Sequence, residues 1–236
     1  MKSAADTYAI VIQVGAILAV AFLYWRTILS VLAGLIGRNV EGLRLFRNLV
    51  IAFIPSPVLA VLAEDFIDEH LFSVPVVAVG LIVGGVVMLF VSRWHRRKSL
   101  ALGSTAADPA LADMSMVQAL FIGIVQCFSL WPGMSRSMVT IVGGYIVGLR
   151  PTRAAEFSFL LGLPTLAGAS IYKATGSGAL ALKAFETGPL LLGCAVAAVS
   201  AGLAVHWLVS YLTRHGLALF AWYRVALAIS VLIFLR

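Results

Sequence analysis

The chain has 236 residues, of which 61% are hydrophobic and only 11% are charged, and this is far more apolar than a soluble domain of its length can bury. The composition excludes a soluble globular protein and indicates a surface that faces lipid. A formal net charge of +7 is compatible with nucleic-acid binding, but the basic residues lie in short clusters between apolar segments, where topology-determining charges belong. We therefore expect no nucleic-acid partner.

Seven apolar segments approach or reach the roughly 20 residues that a helix needs to cross the hydrocarbon core of a bilayer. In chain order they are 8–25, 45–63, 74–91, 115–131, 157–172, 188–212 and 217–235. None shows the alternation of polar and apolar residues that is typical of membrane strands. The sequence thus predicts an all-α protein, a polytopic transmembrane helical bundle.

The loops that separate the first four segments alternate in charge. The first contains Arg26, Arg38, Arg44 and Arg47, the second Glu64, Asp65, Asp68 and Glu69, and the third Arg93, Arg96, Arg97 and Lys98. By the positive-inside rule, the first and third loops are cytoplasmic and the acidic loop faces outward. Segment 115–131 then runs outward, so Trp131-Pro132-Gly133 at its end is predicted to reach the outer half of the membrane.

The apolar run that follows, 138–149, has only 12 residues, which is too short for a comfortable span. It predicts a re-entrant helical hairpin or a broken helix. Residues 99–113 contain glycine, serine, threonine and proline and are predicted to form the main loop of one membrane domain, 1–236. This loop separates a first half, 1–98, from a second half, 114–236.

The two halves show weak internal similarity. Residues 8–19 and 157–168 are both apolar runs with a helix breaker and a small residue at matching places. Such repeats build the central sites of many transporters, and they indicate inverted-repeat topology here. Chance agreement between two apolar runs is the alternative.

A polar step, Ser135-Arg136-Ser137, interrupts this apolar region. An arginine at membrane depth is costly and usually faces a cavity and a partner, and a guanidinium can pair with two phosphate oxygens. Ser135 is predicted to cap the following helix, whose free amides attract anions, while Ser137 and Thr140 can donate further hydrogen bonds. An activated hydroxyl could also act as a nucleophile. Alternatively, Arg136 snorkels to the outer interface and the serines only cap a helix.

Three further polar residues are candidates for substrate binding. Gln126 lies ten residues before the arginine and either lines the same cavity or serves in helix packing. Gln13 contributes only if the two halves close on each other. Glu156 either contacts the ligand or forms an interfacial ion pair with Arg150 or Arg153.

The remaining polar and sulfur-containing residues give weaker signals. Arg224 follows Trp222 and Tyr223 in the last segment and is predicted to be either an aromatic-belt anchor or a tie between helices. Cys127 and Cys194 have no metal-binding spacing and are expected to be small buried side chains. No carboxylate cluster on one helix face predicts a metal site.

One long run resembles a known family. Residues 126–140 read Gln-Cys-Phe-Ser-Leu-Trp-Pro-Gly-Met-Ser-Arg-Ser-Met-Val-Thr, and Gly143-Gly144, the run 153–161 (Arg-Ala-Ala-Glu-Phe-Ser-Phe-Leu-Leu) and Pro164 follow. Together they resemble the second half of the undecaprenyl-diphosphate phosphatases, also called bacitracin-resistance proteins. Residues 8–20 resemble the helix after the family's first motif, and 222–224 resemble its last helix, so the resemblance covers nearly the whole chain.

The resemblance implies removal of the terminal phosphate of a polyprenyl diphosphate lipid at the outer face of the bacterial cytoplasmic membrane, usually with Mg²⁺ or Ca²⁺. It implies an inverted repeat in which two re-entrant hairpins meet at the membrane midplane. Arg136 would bind the diphosphate, and Ser135, Ser137 and Thr140 would supply hydroxyls. The oligomeric state stays open, with a homodimer among the alternatives.

Two features depart from the family pattern. Met138 stands where a glycine is expected, and we expect its larger side chain to crowd the turn. The family's first motif, Glu-x-x-x-Glu followed by Ser-Ser-Thr-Gly-His, is absent from this sequence. A start assigned too far downstream, a fragment, or a degenerate paralogue without turnover would each explain the absence. A lipid-phosphate flippase that uses the same cradle without hydrolysis is the competing function.

Overall fold

The computed structural model of the protein describes residues 2–102, 110–175 and 187–234. This described part contains eleven α-helices and two 3-10 turns, and no β-strand. The helices are α1 (Lys2–Leu23), α2 (Trp25–Leu35), α3 (Val40–Phe53), α4 (Pro55–Leu62), α5 (Glu64–His70), α6 (Val74–Leu102), α7 (Met116–Gln126), α8 (Arg136–Ile146), α9 (Pro151–Thr175), α10 (Thr187–His215) and α11 (Ala218–Phe234). The 3-10 turns are Leu111–Asp113 and Cys127–Leu130. The prediction of an all-α protein is confirmed.

Several of these helices have the length and composition of membrane spans. Within the described ranges, Val40–Leu62, Val74–Arg97 and Gly188–His215 are long and apolar enough to cross a bilayer. Ile12–Leu23 and Trp25–Leu35 add a fourth candidate if this bent pair counts as one span. The shorter helices Met116–Leu130 and Ala218–Phe234 are also apolar. The protein is therefore a multi-pass membrane protein, as predicted.

The chain divides into two compact units. The first contains Met1–Leu29 and Phe159–Ser210, and the second contains Ser30–Ser158 and Tyr211–Arg236. Each unit thus draws on both predicted halves, 1–98 and 114–236. The single membrane domain and the inverted repeat stay predictions.

In the first unit, α1 and α10 approach each other closely. A Cβ atom added to Gly15 would lie 2.1 Å from the carbonyl oxygen of Cys194, so this approach requires glycine. Tyr24 and Phe159 stack in the same unit with 6.2 Å between ring centroids.

In the second unit, α7 and α8 form an antiparallel hairpin. The side chain of Gln118 donates to the carbonyl of Val147 at 3.0 Å, and Gly143 lies against Ile122. Each helix has 11 residues and spans about 16 Å at the α-helical rise, about half of the hydrocarbon core. Every α8 residue from Met138 to Tyr145 is buried in protein, which is where a short helix with free ends is tolerated at membrane depth. The short run thus forms a helical hairpin, as predicted.

The predicted loop at 99–113 begins too early. Helix α6 continues through Leu102, so residues 99–102 are helical and that part of the prediction is wrong. Ser-Leu-Ala-Leu contains no helix breaker, and the first one is Gly103. Residues 103–109 lie outside the described residues, and Leu111–Asp113 forms a 3-10 turn.

Candidate active site

The loop that leads into α8 lies directly on the backbone of α6. The indole nitrogen of Trp131 donates to the carbonyl of Val76 at 3.0 Å. Gly133 has φ +93°, and a Cβ there would lie 2.4 Å from the carbonyl oxygen of Val77. A Cβ on Gly80 of α6 would lie 2.6 Å from the carbonyl oxygen of the proline between Trp131 and Gly133. Glycine on both sides of the contact therefore fixes where α8 begins.

Arg224 of α11 holds the same loop from another side. Its Nη2 donates to the carbonyl oxygen of Gly133, and its side chain is only 8% exposed, whereas Trp222 and Tyr223 are 59% and 64% exposed. Of the two sequence interpretations, the interhelical tie is confirmed, and the aromatic-belt anchor stays a prediction. The Nε of Arg224 is buried and has no hydrogen-bond partner among the described residues.

Ser135, Arg136 and Ser137 form the junction between this loop and α8. Ser135 occupies the N-cap position, but its side chain makes no capping hydrogen bond, so this part of the prediction is wrong. Its Oγ lies instead 3.3 Å from the Oγ of Ser137. The amides of the first turn of α8 are therefore left uncapped by this serine, and free amides at a helix N-terminus attract anions.

Arg136 is the first residue of α8 and is half-buried. Its Nη1 is buried and finds no hydrogen-bond partner within the described part of the chain. A buried guanidinium nitrogen without a partner is costly unless an anion completes its bonds. Arg136 together with the uncapped helix start therefore suits an anionic ligand.

Thr140 lies one turn into α8 and is fully buried. Its Oγ1 is 3.0 Å from the carbonyl oxygen of Arg136, 3.1 Å from that of Ser137 and 2.6 Å from the Oγ of Ser158 on α9. A hydroxyl has one proton to donate, and these neighbours already offer several acceptors. The predicted contact of Thr140 with substrate stays a prediction, since the structure shows the hydroxyl engaged between two helices.

The other candidate residues occupy different places. Glu156 on α9 is buried and accepts from Nη1 of Arg153 at 3.0 Å, so the predicted ion pair is confirmed and its role in substrate binding stays a prediction. Gln126 ends α7, and its Oε1 is buried without a partner among the described residues. Gln13 is half-buried on α1 in the first unit, and its role stays a prediction.

Comparison with known proteins identifies the family. The family model of the bacitracin resistance protein BacA matches residues 1–230. The chain belongs to this family. An undecaprenyl-diphosphatase of Sorangium cellulosum is 43% identical over 98% of this chain and 74% of its own length. An undecaprenyl-diphosphatase of Clostridium tetani is 37% identical over 97% of this chain and 82% of its own, and undecaprenyl-diphosphatase 2 of Rhodospirillum rubrum is 43% identical over 96% and 79%.

Met138 departs from the BacA family pattern without crowding the turn. It is the third residue of a regular α8 and is buried. A Cβ on Gly84 of α6 would lie 2.8 Å from the Cε of Met138 and 2.8 Å from Nη2 of Arg224. The expectation of a crowded turn was therefore wrong, because a glycine on the neighbouring helix leaves space for the thioether.

Replacement of Met138 by the family glycine is expected to destabilise this protein. The change leaves a cavity beside Gly84, and loss of a buried methionine side chain costs about 2–5 kcal/mol. Met138→Leu, which nearly conserves volume, should cost less than about 1.5 kcal/mol. Thermal unfolding in detergent measures the stability of both variants. Equal unfolding midpoints for wild type and Met138→Gly would contradict the conclusion that Met138 fills the space beside Gly84.

The described part of the chain contains no ready-made cluster of cation ligands. Within the described ranges, no three His, Cys, Asp or Glu side chains lie close enough together to hold a metal ion. Glu156, the carboxylate on the α9 turn that precedes Ser158, is already paired with Arg153. The cradle at the start of α8 consists of N–H and O–H donors, which suit an anion.

Sequence reasoning missed Ser158 as a site residue, although it stands within the Glu-Phe-Ser-Phe run that carries the resemblance. A serine in a buried apolar stretch needs a hydrogen-bond partner, and this requirement was the available signal. The partner itself could not be read from the sequence, because Thr140 lies 18 residues away on another helix.

Proposed function

We propose that this protein hydrolyses undecaprenyl diphosphate to undecaprenyl phosphate and inorganic phosphate, and so recycles the lipid carrier of cell-wall synthesis. The observation that carries the proposal is the buried, unpartnered Nη1 of Arg136 at the start of α8. Arg136 belongs to a chain of the BacA family, and the relatives named above are undecaprenyl-diphosphatases. The proposed location is the bacterial cytoplasmic membrane, with the site open toward the outer face, and the charge of the loops supports this orientation.

In this proposal Arg136 binds oxygens of the diphosphate through its fork of N–H donors. Water attacks the terminal phosphorus, the bond from that phosphorus to the bridging oxygen breaks, and the bridging oxygen leaves with undecaprenyl phosphate. The attacking water gives its proton to the surrounding water, and the transferred phosphoryl group leaves as inorganic phosphate. Arg136 and the amides of the first turn of α8 stabilise the negative charge that the phosphoryl oxygens carry as the bond breaks.

Ser135 and Ser137 act in this scheme as hydrogen-bond donors to the phosphoryl oxygens. Within the described residues, each hydroxyl has only the other as a side-chain partner. A hydroxyl nucleophile needs an adjacent base, and neither a histidine nor a carboxylate of the described part contacts them. Donation is therefore the role that their surroundings support.

The test is phosphate release by the purified chain in liposomes that contain undecaprenyl diphosphate. We expect inorganic phosphate and undecaprenyl phosphate in equal amounts. Movement of the intact lipid between leaflets without phosphate release would instead identify a flippase and contradict hydrolysis. Heat-inactivated protein in the same liposomes gives the background.

Mg²⁺ or Ca²⁺ belongs to the proposal through the family resemblance, and its test is chelation. EDTA is expected to lower phosphate release at least about tenfold, because a divalent cation neutralises charge on a transferring phosphoryl group. Excess Mg²⁺ or Ca²⁺ should restore the rate. EDTA saturated with Mg²⁺ is the control, and an unchanged rate in free EDTA would remove the cation from the proposal while leaving hydrolysis in place.

A further inference from the structure

We propose that Ser158 is a positioning residue for the Arg136–Ser137 step. Its hydroxyl joins the first turn of α8 to α9 and so sets the direction in which the Arg136 guanidinium and the Ser137 hydroxyl point. This inference rests on the proposed function, in which these two residues bind the diphosphate.

Two buried hydroxyls contact the backbone of the Arg136–Ser137 step. The Oγ of Ser158 lies 2.6 Å from Oγ1 of Thr140 and 3.4 Å from the carbonyl oxygen of Ser137. Oγ1 of Thr140 in turn lies 3.0 Å from the carbonyl oxygen of Arg136 and 3.1 Å from that of Ser137. Each residue of the step thus has its carbonyl oxygen within reach of at least one of these hydroxyls, and the carbonyl of Ser137 is within reach of both.

The protons can be distributed in two ways, and both keep α8 bonded to α9. If Ser158 donates to Thr140, the threonine proton remains for the carbonyl of Arg136. If Thr140 donates to Ser158, the serine proton remains for the carbonyl of Ser137. One proton for each hydroxyl therefore supplies a bond between the helices and a bond to the step.

The packing around the pair brings the helices close enough for this bond. One turn away, Gly144 of α8 faces Ala154 of α9, and a Cβ on Gly144 would lie 2.8 Å from the Cβ of Ala154. Thr140 and Gly144 are four residues apart, as are Ala154 and Ser158, so both contacts lie on one face of each antiparallel helix. The glycine contact and the hydroxyl contact together fix α8 on α9.

The direction of the Ser158 hydroxyl sets it apart from ordinary helical serines. Ser200 on α10 donates to the carbonyl of Val196 at 2.8 Å, four residues back in its own helix. Ser230 on α11 donates in the same way to Ala226 at 3.0 Å. In the described part of the chain, Ser158 bonds only to α8, so its hydroxyl serves the neighbouring helix.

The experiment compares Ser158→Ala with Ser200→Ala, which removes a serine hydroxyl that bonds only within its own helix. Two quantities are measured: phosphate release from undecaprenyl diphosphate, and binding of a non-hydrolysable prenyl methylenediphosphonate. We expect Ser158→Ala to lower kcat about ten- to hundredfold, because small misplacement of a binding group has effects of this size. Ser200→Ala should have the wild-type kcat. Ser158→Cys keeps a weak donor at nearly the same volume, so its kcat should lie between those of wild type and Ser158→Ala.

A double-substitution cycle identifies the residue through which Ser158 acts. If Ser158 only positions Arg136 and Ser137, most of its effect on diphosphonate binding should vanish in an Arg136→Ala background. Full additivity with Arg136→Ala, and again with Ser137→Ala, would overturn the positioning role. Wild-type rates and affinities for Ser158→Ala would overturn it as well.

The outcomes separate the two proposals. If wild type releases no phosphate, the proposed hydrolysis fails, and diphosphonate binding still tests Ser158. If wild type releases phosphate and Ser158→Ala does so equally well, the positioning role alone fails. If Ser158→Ala does not fold, Ser158→Cys supplies the same comparison, and a wild-type result for both measurements on it would count against the inference.

Discussion

Arg136→Ala is expected to lower phosphate release from undecaprenyl diphosphate at least about 10²-fold, because loss of one donor to a developing negative charge has that effect in other enzymes. The side chain carries a buried Nη1 without a partner in the described residues and stands at the start of α8. Each lost hydrogen bond to a charged group costs about 1.5–3 kcal/mol, so two should weaken binding of the methylenediphosphonate by a factor on the order of 10² or more.

Arg136→Lys and Arg214→Ala are the matched controls. Lysine keeps the charge but loses the planar fork of donors. Phosphate release and diphosphonate binding by Arg136→Lys should therefore lie between those of wild type and Arg136→Ala. Arg214 lies exposed in the last turn of α10, and its replacement should change neither quantity. Wild-type binding and release by Arg136→Ala would instead support the alternative that Arg136 snorkels to the interface.

The sequence predicted the hairpin well because its signals are local. A short apolar run behind Trp131-Pro132-Gly133 cannot cross a bilayer, and a polar step at its start marks a helix end within protein. The placement of Arg136 on the first turn of α8 follows from that pattern alone. Residue types and breaker positions carry this information without any knowledge of neighbouring helices.

The parts that sequence reasoning missed depend on contacts between distant residues. Ser135 has the residue type and position of a cap, but its hydroxyl lies beside that of Ser137. Met138 was expected to crowd the turn, and the glycine that makes room for it lies on α6. The partner of Arg224 is a backbone carbonyl 91 residues away. Pattern and propensity do not encode such pairs, because they arise only when the helices pack.

Gly133→Ala is expected to reduce phosphate release at least about tenfold, because the loop it displaces carries the anion-binding residues. Gly133 adopts φ +93°, a conformation that costs an alanine about 1–2 kcal/mol. A methyl group there would also lie 2.4 Å from the carbonyl oxygen of Val77. A clash with backbone cannot be relieved by rotating a side chain, so the loop must move away from α6, and Arg136 must move with it.

Gly148→Ala separates the two effects in this prediction. Gly148 has φ +95°, and a Cβ there would meet no atom within 4 Å, so this variant carries the conformational cost without the clash. Thermal midpoints should fall in both variants and further in Gly133→Ala, while diphosphonate binding and phosphate release should fall only in Gly133→Ala. Equal losses of binding and phosphate release in the two variants would contradict this prediction. They would mean that close contact between the loop and α6 does not position Arg136.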